Sequence, residues 1–331
     1  MGAQLGAGTR PAPTGYPQKM TDEFIPAYMG ISTFMHGRHT RDLIDVDLAV
    51  VGIPFDSGAA SWRSGTRHGP GSIRENSKQI WGYNRHLDIA PTKDLNFIDY
   101  GDIECDPTNI DRAADMITAG IAQLLAQNVR VMALGGDHSI TYALLRAHAE
   151  KHGPVALIHF DSHTDCYQMI TQLEHGTPFW LAIRDGFVDT DAYVQVGIRG
   201  PQSEKGELEE AAGLGADILT IESCFEMGVP KIVEHLQKKM GNRPVYVTLD
   251  IDSIDPAYAP GTGTPEVGGF TSFQMLHLIR GLAGLNVVGA DLVEVNPHYD
   301  HGAITSILAA NLAFELLSVI GLDIQRKGKS T

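Results

Sequence analysis

Directly after the apolar run VALIHF (155–160) the chain reads DSHTD, residues 161–165. Side chains of an extended chain alternate between faces, so Asp161, His163 and Asp165, two apart, are expected to leave on the same side. Three good metal ligands then converge without special folding. PVYVTLDID (244–252) repeats the arrangement and puts Asp250 and Asp252 on one face, while Asp255, in the loop that follows, suits a role bracing backbone or a ligand histidine. RVMALGGDHS (130–139) ends in Asp137 and His138 at a glycine turn where a helix is expected, and Asp137 there has the alternative role of a helix N-cap.

His138, Asp161, His163, Asp165, Asp250 and Asp252 are too many ligands for one tetrahedral zinc, and none is a cysteine. A set rich in carboxylates, with imidazole, suits two divalent ions roughly 3.5–4 Å apart. Manganese fits best; nickel, cobalt and iron remain open, because donor type discriminates poorly among them. Two such ions lower the pKa of a bridging water toward neutrality, which favours hydrolysis over redox chemistry. A two-metal phosphoesterase would need Lys or Arg near the metals, and these strand ends carry acids instead. A metal-silent partner subunit is the non-enzymatic reading; it should have lost a ligand, and all six positions are filled.

The elements that must position these groups follow from hydrophobic patterning. Strands are expected at 46–53, 130–135, 155–160, 193–198, 217–221, 244–249 and 287–295, short and mostly apolar on both faces, as in a buried parallel sheet. Helices are expected at 110–127, 139–151, 203–213, 226–240, 271–283 and 303–320. This alternation gives an α/β fold with helices covering both sides of a mostly parallel sheet. Loops 56–72 and 255–269, dense in Gly and Pro, lie where open α/β sheets bind ligands, beyond the carboxyl ends of strands. Residues 1–20 lack apolar periodicity, so 1–30 reads as a flexible N-terminal arm ahead of a single domain over 31–325.

Composition narrows the classes. The chain has 331 residues, 43% of them hydrophobic and 20% charged, which fits a globular protein. Lys and Arg total 25 against 40 Asp and Glu, a formal charge of −15, which argues against a nucleic-acid partner and gives a cationic substrate a favourable field. Apolar runs are expected to fall short of the roughly 20 residues of a membrane span. The first residues lack the apolar core of a secretory signal, and three cysteines make no disulfide framework, so a cytoplasmic setting is expected.

GGDHS (135–139), HFDSHTD (159–165), TLDIDSIDPAYAPGTGTPEVGG (248–269) and DLVEVNP (291–297) closely resemble the ureohydrolases, the arginase and agmatinase family. WRSGTRHGPGSIR (62–74) and HGTPF (175–179) look like the agmatinase branch, and the resemblance covers roughly residues 45–320. It implies a three-layer α/β/α fold with a roughly eight-stranded sheet, a homotrimer or homohexamer, and hydrolysis of a small cationic guanidino substrate to urea and an amine with two Mn2+ ions. By motif position Asp161 and Asp250 would bridge the ions, His138 and Asp165 would complete one shell, and His163 and Asp252 the other. Glu294 would hold the guanidinium, a planar cation whose parallel N–H groups pair well with a carboxylate. His175 would pass protons to the departing amine. Asp165 joins these two among the residues expected to take part in catalysis, and Cys166 and Tyr167 would border the pocket, Tyr167 against the substrate. A thiol beside so many carboxylates has little help in ionising.

Ser162 stands where the family commonly has Ala, and its hydroxyl is expected to point away from the metals. Loop 166–174 carries no cation to meet an amino-acid carboxylate. This favours agmatine over arginine; 4-guanidinobutanoate, 3-guanidinopropanoate, proclavaminate-type and other guanidines are the alternatives. Arg63, Arg67, His68 and Arg74 are expected to brace loops or subunit contacts rather than meet substrate.

Overall fold

The computed structural model describes residues 25–57 and 62–328; residues 1–24, most of the expected arm, lie outside them. From the amino end the elements are β1 (Arg38–His39), β2 (Leu48–Gly52), α1 (Gly69–Ser77), α2 (Pro91–Asp94), β3 (Phe97–Asp102), α3 (Ile110–Ala126), β4 (Arg130–Leu134), α4 (Ile140–His152) and β5 (Val155–Phe160). They continue with α5 (Pro178–Arg184), β6 (Val188–Ile198), α6 (Glu207–Gly213), β7 (Asp217–Thr220), α7 (Ile221–Met240), β8 (Val245–Asp250), α8 (Ser272–Arg280), β9 (Val287–Val293) and α9 (Ile304–Gly328).

Among the described residues the strands form one nine-stranded sheet in the order β1-β3-β2-β4-β9-β8-β5-β6-β7, parallel at every pairing. Apolar side chains on both faces hold it between two helical layers. Val50, Leu134, Ile158, Val247 and Leu292 pack with Ile73, Leu236, Leu278 and Leu316 from α1, α7, α8 and α9. Val51, Val131, Leu157, Tyr246 and Val288 face Ile117, Leu144, Phe179 and Ala211 from α3, α4, α5 and α6. The expected three-layer α/β/α architecture is the observed one.

All seven expected strands form, and β1 and β3 are additions. Strand β3 (FIDYGD) carries acids that disguise it: Asp99 is 1% exposed because it accepts from the buried Arg74 guanidinium, which also bonds Asp102. Helices α1, α2 and α5 were not anticipated either. Helix α7 bends at Gly228, where φ is +72°. Helix α9 corrects the expectation about apolar runs. Its 25 residues are long and apolar enough to cross a membrane, but 72% of its most apolar 18-residue window is buried inside the protein, and Ala310, Ala313, Leu316 and Leu317 join the core against the sheet.

Candidate active site

Strands β4, β9, β8 and β5 are neighbours, and being parallel they end at one edge of the sheet. Strands β4 and β5 follow one another in sequence but are separated by β8 and β9, so a crevice forms where the strand order reverses. After β4 the chain passes Gly136, whose missing Cβ would lie 1.7 Å from the Phe55 carbonyl oxygen. His138 follows, fully buried, at the start of α4.

The His138 ring is oriented from behind. Asp291 accepts from the hydroxyls of Tyr246 (2.9 Å), Thr141 (3.0 Å) and Thr248 (2.6 Å). With its proton committed to Asp291, Thr248 Oγ1 accepts from His138 Nε2 at 2.9 Å. In the neutral imidazole the other nitrogen, Nδ1, then carries the lone pair, and the site must supply a cation to it, a proton or a metal ion. Nδ1 is buried without a hydrogen bond and faces oxygens of Asp165 (2.9 Å), Asp161 (3.1 Å) and Asp250 (3.4 Å). One imidazole nitrogen converging with three carboxylate oxygens is a donor set that fits a divalent metal ion, which would take the place of the Nδ1 proton.

A second set shares Asp161. His163 Nδ1 lies 3.1 Å from Asp252 Oδ2 and 3.5 Å from Asp161 Oδ1. Asp252 sits in a short 3-10 turn that Asp250 caps by accepting its amide at 2.8 Å. All six expected ligands therefore meet in two groups around Asp161. The convergence does not come from strand alternation, however. Strand β5 ends at Phe160, and Asp165 reaches the site through a left-handed backbone conformation, φ +47°. Ser162 consequently departs from expectation: its hydroxyl donates to Asp252 Oδ1 at 2.7 Å and lies 3.1 Å from His163 Nδ1.

The electrostatics call for positive charge. Burial pushes Asp250 well above the usual carboxylate range, helped by Asp252 and Asp161. It does the same to Glu294, helped by Asp250 and Asp137. Burial opposes protonation of His138 and His163, yet the surrounding aspartates hold both well above an ordinary imidazole. For Asp161 burial works against ionisation, but His159 and the other imidazoles win and hold its carboxyl well below the usual range. Asp161, Asp165, Asp250, Asp252 and Glu294 thus crowd three imidazoles, His138, His159 and His163, and of these eight side chains His163 alone is more than slightly exposed.

Glu294 leaves β9 with φ +63° and is 2% exposed. Its Oε1 accepts from the His138 amide at 2.9 Å and lies 3.8 Å from His175 Nδ1. His175 is partly exposed, with Glu174 3.8 Å from its other nitrogen. His175 and Glu294 line a narrow cleft with Asp56, Arg63 and Asp137. Tyr167 is half-buried against Gly176 and borders a cavity of about 150 Å³ on the His163 side of the site, which Arg199, Glu207 and Glu222 also line.

The remaining loop residues divide. Asp137 accepts from the Ser139 amide and hydroxyl and from the Ser57 amide, so it both caps the turn and anchors loop 56–72. Asp255 braces backbone through the amides of Ala257, Gly268 and Gly269. Arg67 pairs with Asp56, and Arg74 with Asp99, which makes both of them braces; the His68 ring meets His298 edge-on at 5.0 Å. Arg63 differs, since its guanidinium lies over the rings of Trp62 (4.6 Å) and Tyr299 (4.8 Å) while lining the cleft. Burial pushes the Cys166 thiol up to about 12, in line with an inert cysteine. Sequence reasoning missed His159, Thr248 and Asp291. The signal was available, because His159 and Thr248 each stand two residues before a candidate ligand aspartate.

The pattern that defines the arginase family matches residues 46–318. Mitochondrial agmatinase of Gallus gallus is 40% identical over 300 residues, spanning 90% of this chain and 88% of that protein. Guanidinobutyrase of Pseudomonas aeruginosa is 40% identical over 307 residues, 91% of this chain and 96% of the relative. The solved structure of proclavaminate amidinohydrolase from Streptomyces clavuligerus superposes with a TM-score of 0.87 at 40% identity, covering 90% of this chain and all of that one. This chain therefore belongs to the arginase family and is a ureohydrolase, one of the dinuclear-metal hydrolases that act on guanidino groups.

Proposed function

We propose that this protein is a two-manganese ureohydrolase that splits a small guanidino compound into urea and an amine, with agmatine as its first substrate. The observation that carries the reading is the buried His138 Nδ1 among Asp161, Asp165 and Asp250, with the buried Glu294 carboxylate at the mouth of the same crevice. His138, Asp165, Asp161 and Asp250 would hold one ion, and His163 and Asp252, with the two shared aspartates, the other. When bound, the pair supplies a water acidic enough to attack near neutral pH.

The chain's own groups do the rest. Glu294 pairs with the substrate guanidinium, and the arriving cation offsets the burial that otherwise favours its neutral form. His175 stands between Glu294 and solvent, where an imidazole can pass a proton to the departing amine nitrogen. Tyr167 walls the cavity beside His163, and we assign the tail to that cavity. The one arginine there, Arg199, donates to five backbone carbonyls, of Val267, Gly197, Ser253, Asp252 and Glu266. Glu207 and Glu222 are then left to meet an amine tail, which supports agmatine.

One observation favours a second reading: Arg63 lines the cleft beside Glu294 and His175 and could meet a carboxylate tail, as in 4-guanidinobutanoate, 3-guanidinopropanoate or a proclavaminate-type substrate. Urea release over agmatine, these guanidino acids and arginine separates the two. Agmatine should have the highest kcat/KM; a guanidino acid well ahead of it would transfer the assignment to the Arg63 reading, and arginine ahead of both would refute the account of loop 166–174. We further propose one domain over 31–325, with an arm at 1–30, working in the cytoplasm as a homotrimer or homohexamer.

A further inference from the structure

A buried row of polar side chains runs behind Asp161, away from the crevice. His159, Tyr193 and Gln195 are all fully buried. They share the face of β5 and β6 that packs under α5, and His159 and Gln195 are direct partners in the parallel register. Gln195 Nε2 lies 2.7 Å from the Thr164 carbonyl oxygen and 2.6 Å from Tyr193 Oη. A carbonyl can only accept, so this fixes the orientation of the Gln195 amide, and its second proton goes to Tyr193. Tyr193, accepting there, turns its own proton toward His159 Nδ1 at 3.2 Å. With Nδ1 accepting, the His159 proton must sit on Nε2, 2.7 Å from Asp161 Oδ2. Phe179 lies over the imidazole at 4.0 Å between centroids and holds the ring in place. With one proton of the Gln195 amide anchored on that carbonyl, every bond from Gln195 onward points the same way, toward the carboxylate that both ligand groups share.

We propose that His159 is the positioning residue for the bridging aspartate: Gln195 and Tyr193 set its tautomer, and its Nε2–H holds Asp161 so that Oδ2 faces the His138 group and Oδ1 the His163 group. The inference rests on the two-metal reading above. His159 Nε2 lies close enough to His138, Asp161 and Asp165 to serve as a ligand itself, but its proton is directed at Asp161 Oδ2, so it acts through the aspartate. Carboxylates that ligate metals are generally hydrogen-bonded in turn, and losing such a partner typically costs about 10–100-fold in metal affinity.

The test is Mn2+ titration of chelator-stripped protein without substrate, followed by metal analysis. The proteins compared are wild type, His159→Leu, His159→Gln, Tyr193→Phe and the His159→Leu/Tyr193→Phe double variant. His159→Leu should still bind two ions, each about 10–100-fold more weakly. His159→Gln places an amide donor near the position of Nε2 and should recover most of the affinity. Tyr193→Phe should weaken binding by itself and add little in the His159→Leu background. Wild-type affinity in His159→Leu would overturn the inference. So would loss of one ion from both His159 variants, which would make His159 a ligand, and so would additive effects of the two single changes. If His159→Leu fails to fold, His159→Gln and Tyr193→Phe decide through the same titration. A wild-type protein that takes up no manganese would overturn the metal reading along with this one, whereas failure confined to the variants would leave that reading standing.

Discussion

Replacing Glu294 by Gln isolates one charge. The side chain is 2% exposed, and one of its oxygens accepts the His138 amide at 2.9 Å. Glutamine keeps the volume and an oxygen able to accept that bond, so the turn that presents His138 should survive. What disappears is the negative charge facing the guanidinium. Removing one partner of a buried, hydrogen-bonded charge pair costs about 2–5 kcal/mol, and glutamine's remaining acceptor places this change near the lower end, about 2–3 kcal/mol. That corresponds to a fall of roughly 30- to 150-fold in kcat/KM, since each 1.4 kcal/mol is tenfold. The assay is urea release at substrate concentrations well below KM, with metal content measured on the same samples. Two bound ions with kcat/KM within about threefold of wild type would refute the guanidinium assignment. Loss of metal would refute it differently, by showing that Glu294 works through His138.

Asp161→Ala or Asp250→Ala should abolish turnover and lower metal content, because each removes a carboxylate from the centre of the site; full metal occupancy by elemental analysis would contradict the bridging roles. His175→Asn should retain both metals and lose chiefly kcat, and loss of metal there would place His175 among the ligands instead. A fourth prediction concerns acid stability. Burial holds His148 down to about 4, from an ordinary 6.5. Its Nε2 is pressed against Gly289, where an added Cβ would lie only 2.2 Å away. The unfolded chain takes up this proton near pH 6.5 and the folded one only near 4. Stability is therefore complete above 6.5 and declines by about 3 kcal/mol as pH falls to 4. Urea midpoints at pH 7, 5.5 and 4.5 should fall less steeply for His148→Gln, and parallel slopes would refute the linkage.

The candidate ligands are legible in the sequence because each follows an apolar run that must be a buried strand, and parallel strands end at a common edge. Their exact convergence was not legible: the period-two argument stops where β5 stops, and the backbone at Asp165 adopts a conformation that no propensity announces. Ser162 was misread for the same reason. Strand β3 is hidden in the sequence because Asp99 looks like a surface residue until Arg74, 25 positions away, comes to neutralise it, and because the strand ends at Asp102 on the surface. His159 lies inside an apolar strand, where a lone imidazole reads as core; only the register with β6 reveals its partners. Arg63, Arg67 and Arg74 were treated alike from sequence, and the fold separates one that faces the cleft from two that brace loops.

The interleaved strand order also constrains assembly. As the chain emerges from its amino end, β1 to β4 and β5 to β7 can pair as two sheet fragments, but the slot between β4 and β5 stays open until β8 and β9 are made. His138, Asp161, His163 and Asp165 precede that moment, while Asp250, Asp252 and Glu294 come with the inserted pair. Neither fragment alone owns a complete set of ligands. On the proposed assignments, ion capture waits for the last gap in the sheet to close, and a chain cut short before residue 294 would arrive without the carboxylate proposed to grip its substrate.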